Sequence, residues 1–86
     1  MSMTGIVHAI NSLRGMVAIA TDGKGFTVVE LLGDDEVEIG DKMEWQNDTG
    51  LGGETYMNLS KGVTIDVYVQ NHWVSANQLR QQLLLY

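Results

Sequence analysis

Hydrophobic residues along the chain fall into short runs that turns containing glycine separate. The runs Gly5–Ile10, Met16–Thr21 and Phe26–Leu32 are apolar and rich in β-branched residues, which is typical of β-strands. Between the second and third runs, Asp22-Gly23 accepts the positive φ angles of a tight turn and predicts a hairpin. The pattern therefore predicts three consecutive strands in the first third of the chain.

Further strands are predicted in the second half. In Lys42–Gln46, Met43 and Trp45 fall on one face of an extended chain. A loop rich in glycine leads to Glu54–Ser60, which we interpret as a short strand. Val63–Val69 alternates apolar and polar residues, which indicates a strand buried on one face. Because no helix separates the strands, the order predicts an all-β protein built as a small closed or partly open barrel.

The C-terminal end has a helical pattern. Ser75 and Gln78 fit a capping box, and Ala76, Leu79, Leu83 and Tyr86 recur at helical spacing. A helix of about ten residues is unstable alone, so it must pack on the sheet or on another chain. We expect Trp73 to hold it against the barrel. The apolar end of the helix is the alternative candidate for a partner-binding or dimerisation site, formed by Leu83, Leu84 and Tyr86.

Length and composition narrow the function. The chain has 86 residues, which indicates a single domain over 1–86. It has no cysteine, no apolar stretch long enough to span a membrane and no visible signal peptide, so we expect a cytoplasmic protein. The net charge of −6 opposes general binding to a phosphate backbone, although a local patch can differ from the average.

The acidic residues concentrate between positions 34 and 44, where we expect a solvated surface; a site for a cation or a basic partner is the alternative. The order D-D-E-V-E-I-G-D lacks the ligand pattern of a calcium loop, and we predict no metal and no cofactor. No pair of carboxylates and no nucleophile motif indicates catalysis, so we predict a protein that is not an enzyme. His8 and His72 are expected to have structural or surface roles.

Part of the chain resembles a known family. Thr4–Ile19, TGIVHAINSLRGMVAI, resembles the first two strands of cold-shock domains, T-G-x-V-K-W-F-N-x-x-K-G-F-G-F-I, with Arg14 at a lysine position. Ile39–Trp45 is similar to the family's E-G-Q-K-V-E-F strand, and Gly52–Leu59 to its closing strand. The resemblance spans Thr4–Leu59 and implies a five-to-six-stranded OB-type barrel over residues 1–60, with an added C-terminal strand and short helix over 61–86.

The resemblance also implies a binding face, which this chain alters. Cold-shock domains stack bases on aromatic side chains, but Ala9, Met16 and Ala18 stand at three of those positions here. In the family's second motif, Val28 replaces an aromatic residue and Glu30 a histidine. The resemblance thus implies weak binding of RNA or single-stranded DNA, at a site formed by His8, Arg14, Met16, Lys24 and Phe26. The alternative is a protein-interaction or self-associating module, such as a homodimer, that has lost nucleic-acid binding.

Overall fold

The strands close into one barrel. The computed structural model describes residues 3–23, 25–46 and 50–83. These contain six strands and one helix: β1 (Met3–Asn11), β2 (Met16–Thr21), β3 (Phe26–Leu31), β4 (Lys42–Trp45), β5 (Gly52–Asn58), β6 (Val63–Val74) and α1 (Ala76–Gln82). All neighbouring strands are antiparallel, in the order β1-β2-β3-β6-β5-β4, and β4 closes the barrel by pairing with β1. The predicted all-β barrel with a short C-terminal helix is confirmed, and it is compatible with an OB-like fold.

Strand β6 completes the barrel. It lies between β3 and β5, so the segment expected as an addition to residues 1–60 forms one of the walls. It is also longer than the predicted Val63–Val69 and supplies Ile65, Val67 and Val69 to the interior. Residues 1–60 alone would leave β3 and β5 as unpaired edges, which small β proteins avoid by closure.

A close-packed apolar core fills the barrel. Trp45 and Tyr56 stack face to face at its centre, with ring centroids 4.7 Å apart and planes 4° from parallel. Burial, with a smaller contribution from Glu54, raises the pKa of the Tyr56 phenol above its ordinary value, so the ring stays neutral. The other buried members of this core are Val7, Val17, Ile19, Val29, Met43, Ile65, Val67 and Val69.

Polar side chains tie the β3–β4 loop to the β5–β6 turn. The Asp41 carboxylate accepts hydrogen bonds from Asn58 Nδ2 at 2.9 Å, from the Glu38 amide at 3.0 Å and from Lys61 Nζ at 3.0 Å. Burial alone would raise the pKa of Asp41, but the hydrogen bonds from Asn58, Glu38 and Lys61 outweigh it and hold the pKa below 3.8. Glu38 also forms an ion pair with Lys61 at 3.0 Å. Part of the acidic segment therefore has a structural role, because it connects the β3–β4 loop to the β5–β6 turn.

Close packing around Gly5 makes it sensitive to a single added carbon. A Cβ there would lie 2.6 Å from Ile19 Cγ2 and 2.7 Å from the Ala20 carbonyl oxygen. We expect Gly5→Ala to lower the free energy of unfolding by about 1–3 kcal/mol, because neither neighbour can move without disturbing the barrel. Gly53→Ala is the control, since a Cβ there meets no atom within 4 Å. Urea denaturation measures both, and equal stabilities would contradict the proposed packing.

Asp41 should make stability depend on pH. Its pKa is lower in the folded state than in the unfolded state, so its contribution is complete above pH 3.8 and lost as the pH falls through the lowered value. We expect Asp41→Asn to cost about 1 kcal/mol at neutral pH, with the gap to wild type closing in strong acid. The exposed Asp34→Asn is the control, and thermal unfolding across pH 2–7 is the measurement. A gap that stays constant with pH would contradict this role.

Candidate functional site

The outer face of β2 and β3, where the resemblance implies a binding surface, is covered. Met16, Ala18 and Val28 point away from the barrel core and have exposed fractions of 7%, 0% and 0%. They form a second apolar cluster with Val74, at the end of β6, and with Leu79 and Leu83 from the C-terminal segment. Met16 thus packs within this cluster, and in the described part of the chain this face, called here the β2–β3 outer face, is covered at these three positions.

Helix α1 holds this position through two leucines and one polar contact. Leu79 and Leu83, one helical turn apart, are 8% and 1% exposed. The Asn11 side chain donates a buried hydrogen bond of 2.8 Å from Nδ2 to the Leu83 carbonyl oxygen, which satisfies a carbonyl at the helix end. Leu83, predicted as a partner contact, therefore packs within its own chain. Leu84 and Tyr86 lie outside the described residues.

Two sequence-based expectations about α1 need correction. Ser75 is the N-cap residue, but its side chain makes no capping hydrogen bond, so the predicted capping box is absent. Trp73 does not hold the helix, because its side chain is 57% exposed. The neighbouring Val74 is 2% exposed and takes the packing role that we expected of the tryptophan.

Arg14 lines a groove at the edge of the β2–β3 outer face. The groove has a volume of about 300 Å³ and is lined by Arg14, Met16, Glu30, Gln70 and Gln82. Glu30 accepts a hydrogen bond of 3.4 Å from Gln70 Nε2. Because one arginine and one glutamate face the same small space, their charges offset each other. The side chains that line the groove therefore carry no net positive charge, and a net positive charge is what favours phosphate binding.

His8 and Phe26 meet at the other end of this face. Their ring centroids are 5.0 Å apart, His8 is exposed, and Phe26 is half-buried against the second cluster. Arg14 lies in the turn between β1 and β2, near the C-terminal end of β3, whereas Phe26 is the first residue of β3. The two ends of β3 are five residue steps apart, which corresponds to about 17 Å. The structure thus divides the predicted site between two ends of the barrel. Lys24, its remaining member, lies outside the described residues.

A bulge in β6 displays Trp73 beside Phe26. His72 and Trp73 together oppose Thr27, because Phe26 pairs with Val74 and Val28 with Asn71. Trp73 has a φ of 55°, in the left-handed region that bulky residues rarely adopt. Among the described residues, Trp73 is the one residue other than glycine whose φ is positive. This conformation costs about 1–2 kcal/mol and persists only where the surroundings fix it.

The buried ring of His72 fixes the bulge. Its Nδ1 lies 2.9 Å from Thr27 Oγ1, and its Nε2 lies 2.8 Å from the Gly50 carbonyl oxygen. Since that carbonyl can only accept, Nε2 carries a proton, and in the neutral ring Nδ1 accepts from the Thr27 hydroxyl. The expected structural role of His72 is confirmed. The histidine anchors the β6 bulge to both β3 and the β4–β5 loop.

The β2–β3 hairpin supports the bulge from the other side. Gly25 approaches the backbone so closely that a Cβ would lie 2.8 Å from the Val74 carbonyl oxygen and 3.2 Å from the Trp73 carbonyl carbon. Its φ of 76° also favours glycine. The backbone of Trp73 is thus held between this hairpin and the hydrogen bonds of His72.

Leu51 and Trp73 are exposed apolar side chains at the end of the barrel where His8 and Phe26 meet. Leu51 follows Gly50 directly and is 61% exposed, so Leu51 and Trp73 flank the hydrogen bond between His72 and Gly50. We define the rim patch as His8, Phe26, Leu51 and Trp73. The acidic β3–β4 loop lies toward the opposite end, where residues 33–38 share a groove with Ser12 and Gly15. The net negative charge is therefore not centred on the rim patch.

Sequence reasoning missed the rim patch. A regular strand alternates its side chains, so Trp73 would share the buried face of Val69, and His72 would face solvent. Two register shifts in β6 reverse this order, one between Val28 and Val29 and one between Phe26 and Val28. What the sequence does signal is the covering of the β2–β3 outer face, because β2 reads Met-Val-Ala-Ile-Ala without alternation, which indicates burial on both faces.

Comparisons with known proteins provide no relative. No family model, no curated protein and no solved structure matches this chain. Within the described residues, no group of three or more histidine, aspartate or glutamate side chains could hold a metal ion. The helix in the same part of the chain is too short to cross a membrane. The candidate site therefore rests on the geometry of the rim patch.

Strain at Trp73 should invert the usual order of stability of alanine and glycine variants. Alanine normally stabilises a strand relative to glycine by about 0.5–1 kcal/mol, but glycine adopts a φ of 55° without steric cost. We expect Trp73→Gly to be more stable than Trp73→Ala by about 0.5–1 kcal/mol. At Tyr68, an exposed residue of β6 with ordinary φ, alanine should be the more stable substitution. Chemical denaturation measures all four variants, and the ordinary order at both positions would contradict the strain.

Proposed function

We propose that this protein is a non-enzymatic binding module that contacts a protein partner through the rim patch. The observation that carries this proposal is the exposed Trp73, held in a strained bulge by the buried His72. Such strain is retained where it serves a function, and an exposed tryptophan is a frequent energetic centre of protein interfaces. Leu51 and the His8–Phe26 pair add apolar contact area around it.

Three properties favour a protein over a nucleic acid. Helix α1 covers the face on which the cold-shock pattern would stack bases. The groove beside it balances Arg14 against Glu30. Lys61, one of five basic residues in the sequence, is engaged by Glu38 and Asp41. Together with the net charge of −6, these properties weaken the electrostatic attraction on which nucleic-acid binding depends.

Single-stranded nucleic acid is the second candidate. Phe26, His8 and Trp73 offer aromatic rings at the end of the barrel away from the acidic loop, and stacking of a base contributes about 1–3 kcal/mol. The OB-type barrel of a diverged cold-shock-like protein, with binding to RNA or single-stranded DNA, belongs to this candidate. On either proposal the protein acts in the cytoplasm without a cofactor.

Selection from a peptide display library tests the first candidate. We expect wild-type protein to enrich a peptide motif that Trp73→Ser does not bind. Loss of this central contact should raise the dissociation constant of the selected peptides by about 30-fold or more, because a tryptophan at the centre of an interface contributes about 2 kcal/mol of binding free energy. Tyr68→Ser is the matched control, since it removes another exposed aromatic residue of β6. Peptides that bind wild type and Trp73→Ser equally would contradict the proposed site.

Titration of fluorescent single-stranded oligonucleotides at low salt separates the two candidates. Anisotropy reports binding, and quenching of Trp73 reports stacking, because Trp45 is only 2% exposed and shielded from the ligand. We expect no saturable binding. Saturable binding that Trp73→Ser removes and Tyr68→Ser retains would support the nucleic-acid candidate and overturn the protein-binding proposal if the peptide selection also fails.

A further inference from the structure

A second groove in the barrel surface combines an apolar floor with an acidic rim. It has a volume of about 440 Å³ and lies between the β1–β2 turn, which contributes Ser12 and Gly15, and residues 33–38 of the β3–β4 loop. We propose that this groove, called here the acidic groove, binds an extended segment of a partner protein that carries basic and apolar residues. The inference does not depend on the proposed function, because the groove and the rim patch share no residue.

The floor of the acidic groove is apolar. Ile10, Leu31 and Val37 line it, and each of them is half-buried and packs against the barrel core. Removal of accessible apolar surface from water is favourable. The floor therefore favours an apolar side chain of a partner over a hydrated metal ion.

The acidic groove lies where β1 continues past its pairing with β4. β4 pairs with Met3–Ile6, and the Val7 backbone then donates to Asp41 and accepts from Gly40. Among the described residues, no strand pairs with β1 beyond Val7 on this side, and Ile10 in this unpaired part lines the groove. An unpaired strand edge offers backbone hydrogen-bonding groups to an added strand, so it favours an extended segment.

The rim of the acidic groove carries carboxylates that are available to a partner. Asp34, Asp35 and Glu36 line the groove and form no ion pair within the described part of the chain. Glu38, in contrast, is paired with Lys61. Unpaired negative charges beside an apolar floor complement a segment that carries lysine or arginine in addition to apolar residues.

A second copy of this chain does not provide such a segment. The basic residues of the sequence occur singly and far apart: Arg14, Lys24, Lys42, Lys61 and Arg80. The net charge of −6 also makes two copies repel each other. The partner that fits the acidic groove is therefore a different protein.

Titration with a synthetic peptide tests this inference. The probe is fluorescein-labelled KVKIKVK, and its counterpart QVQIQVQ keeps the apolar residues without the charges. We expect saturable binding of the lysine peptide by anisotropy, weakening as salt is raised, and a dissociation constant about tenfold higher for the glutamine peptide. Equal binding of the two peptides, or no saturable binding at the highest protein concentration reached, would overturn the proposal.

Charge-neutralising variants show whether the peptide occupies the acidic groove. The first variant neutralises the rim carboxylates: D34N, D35N and E36Q. The matched control removes the same charge outside the groove: D22N, E44Q and D66N. We expect the first variant to raise the dissociation constant of the lysine peptide about tenfold and the control to raise it by less than about twofold, because distant charges are screened. Equal losses in the two variants would show attraction to the net charge alone and would overturn the proposal.

A second pair of variants tests the apolar floor. Val37→Ser removes part of the floor, and Ile39→Ser is the control, because Ile39 is 68% exposed in the same loop and does not line the groove. We expect Val37→Ser to raise the dissociation constant of the lysine peptide by about threefold to tenfold, and Ile39→Ser to leave it unchanged. Urea denaturation shows whether both variants fold, and equal affinities of the two folded variants would overturn the role of the floor.

Nuclear magnetic resonance of the isotope-labelled wild-type protein locates the peptide without any substitution. We expect the lysine peptide to shift the amide signals of Ile10 and of residues 33–38, and to leave that of Trp73 unchanged. Shifts centred on Trp73 would place the peptide on the rim patch, which would overturn this proposal and leave the proposed function intact.

Discussion

Burial of β2 and β3 on both faces is the constraint on which the rest of the structure depends. Val17, Ile19 and Val29 face the barrel interior, while Met16, Ala18 and Val28 face outward and are equally buried. A closed barrel satisfies only the first set, so a second layer is needed. Helix α1 and the Leu83 that follows it provide this layer, and burial of Leu79 and Leu83 stabilises it by about 1.5–3 kcal/mol for each side chain. The helix is thus needed in this fold because β2 and β3 carry apolar residues on both faces.

This constraint also shapes β6, which contributes to both apolar clusters. Val69 belongs to the barrel core, and Val74 belongs to the cluster beneath α1. Two register shifts lie between these valines. Each shift moves the side chains that follow it to the opposite face of the strand, so after both shifts Val74 faces the side that regular alternation would give it. His72 and Trp73 lie where the facing is reversed, so the polar ring is buried and the apolar one is exposed. The rim patch is a consequence of how β6 reaches the helix.

The sequence predicted the parts of this structure that depend on neighbouring residues. Apolar β-branched runs identified the first three strands, and alternation identified β4 and β6. Asp22-Gly23 identified the hairpin, and the spacing of Leu79 and Leu83 identified the helix. The bulge could not be predicted in this way. It depends on the contact between Thr27 and His72, which are 45 residues apart in the sequence. Alternation predicts the wrong face for every residue of the bulge, because one register shift reverses the face of each side chain up to the next register shift.

The aliphatic residues at positions 16 and 18 and the presence of α1 have one physical explanation. Aromatic side chains at positions 16 and 18 would project from the β2–β3 outer face into the volume that α1 occupies. Ala18 is 0% exposed in the cluster that Leu79 and Leu83 complete, so a phenylalanine there would overpack this cluster. The chain can keep either a stacking platform or a packed helix on this face. It has the helix, and the C-terminal segment that supplies the helix also supplies Trp73 as an exposed aromatic ring at the end of the barrel.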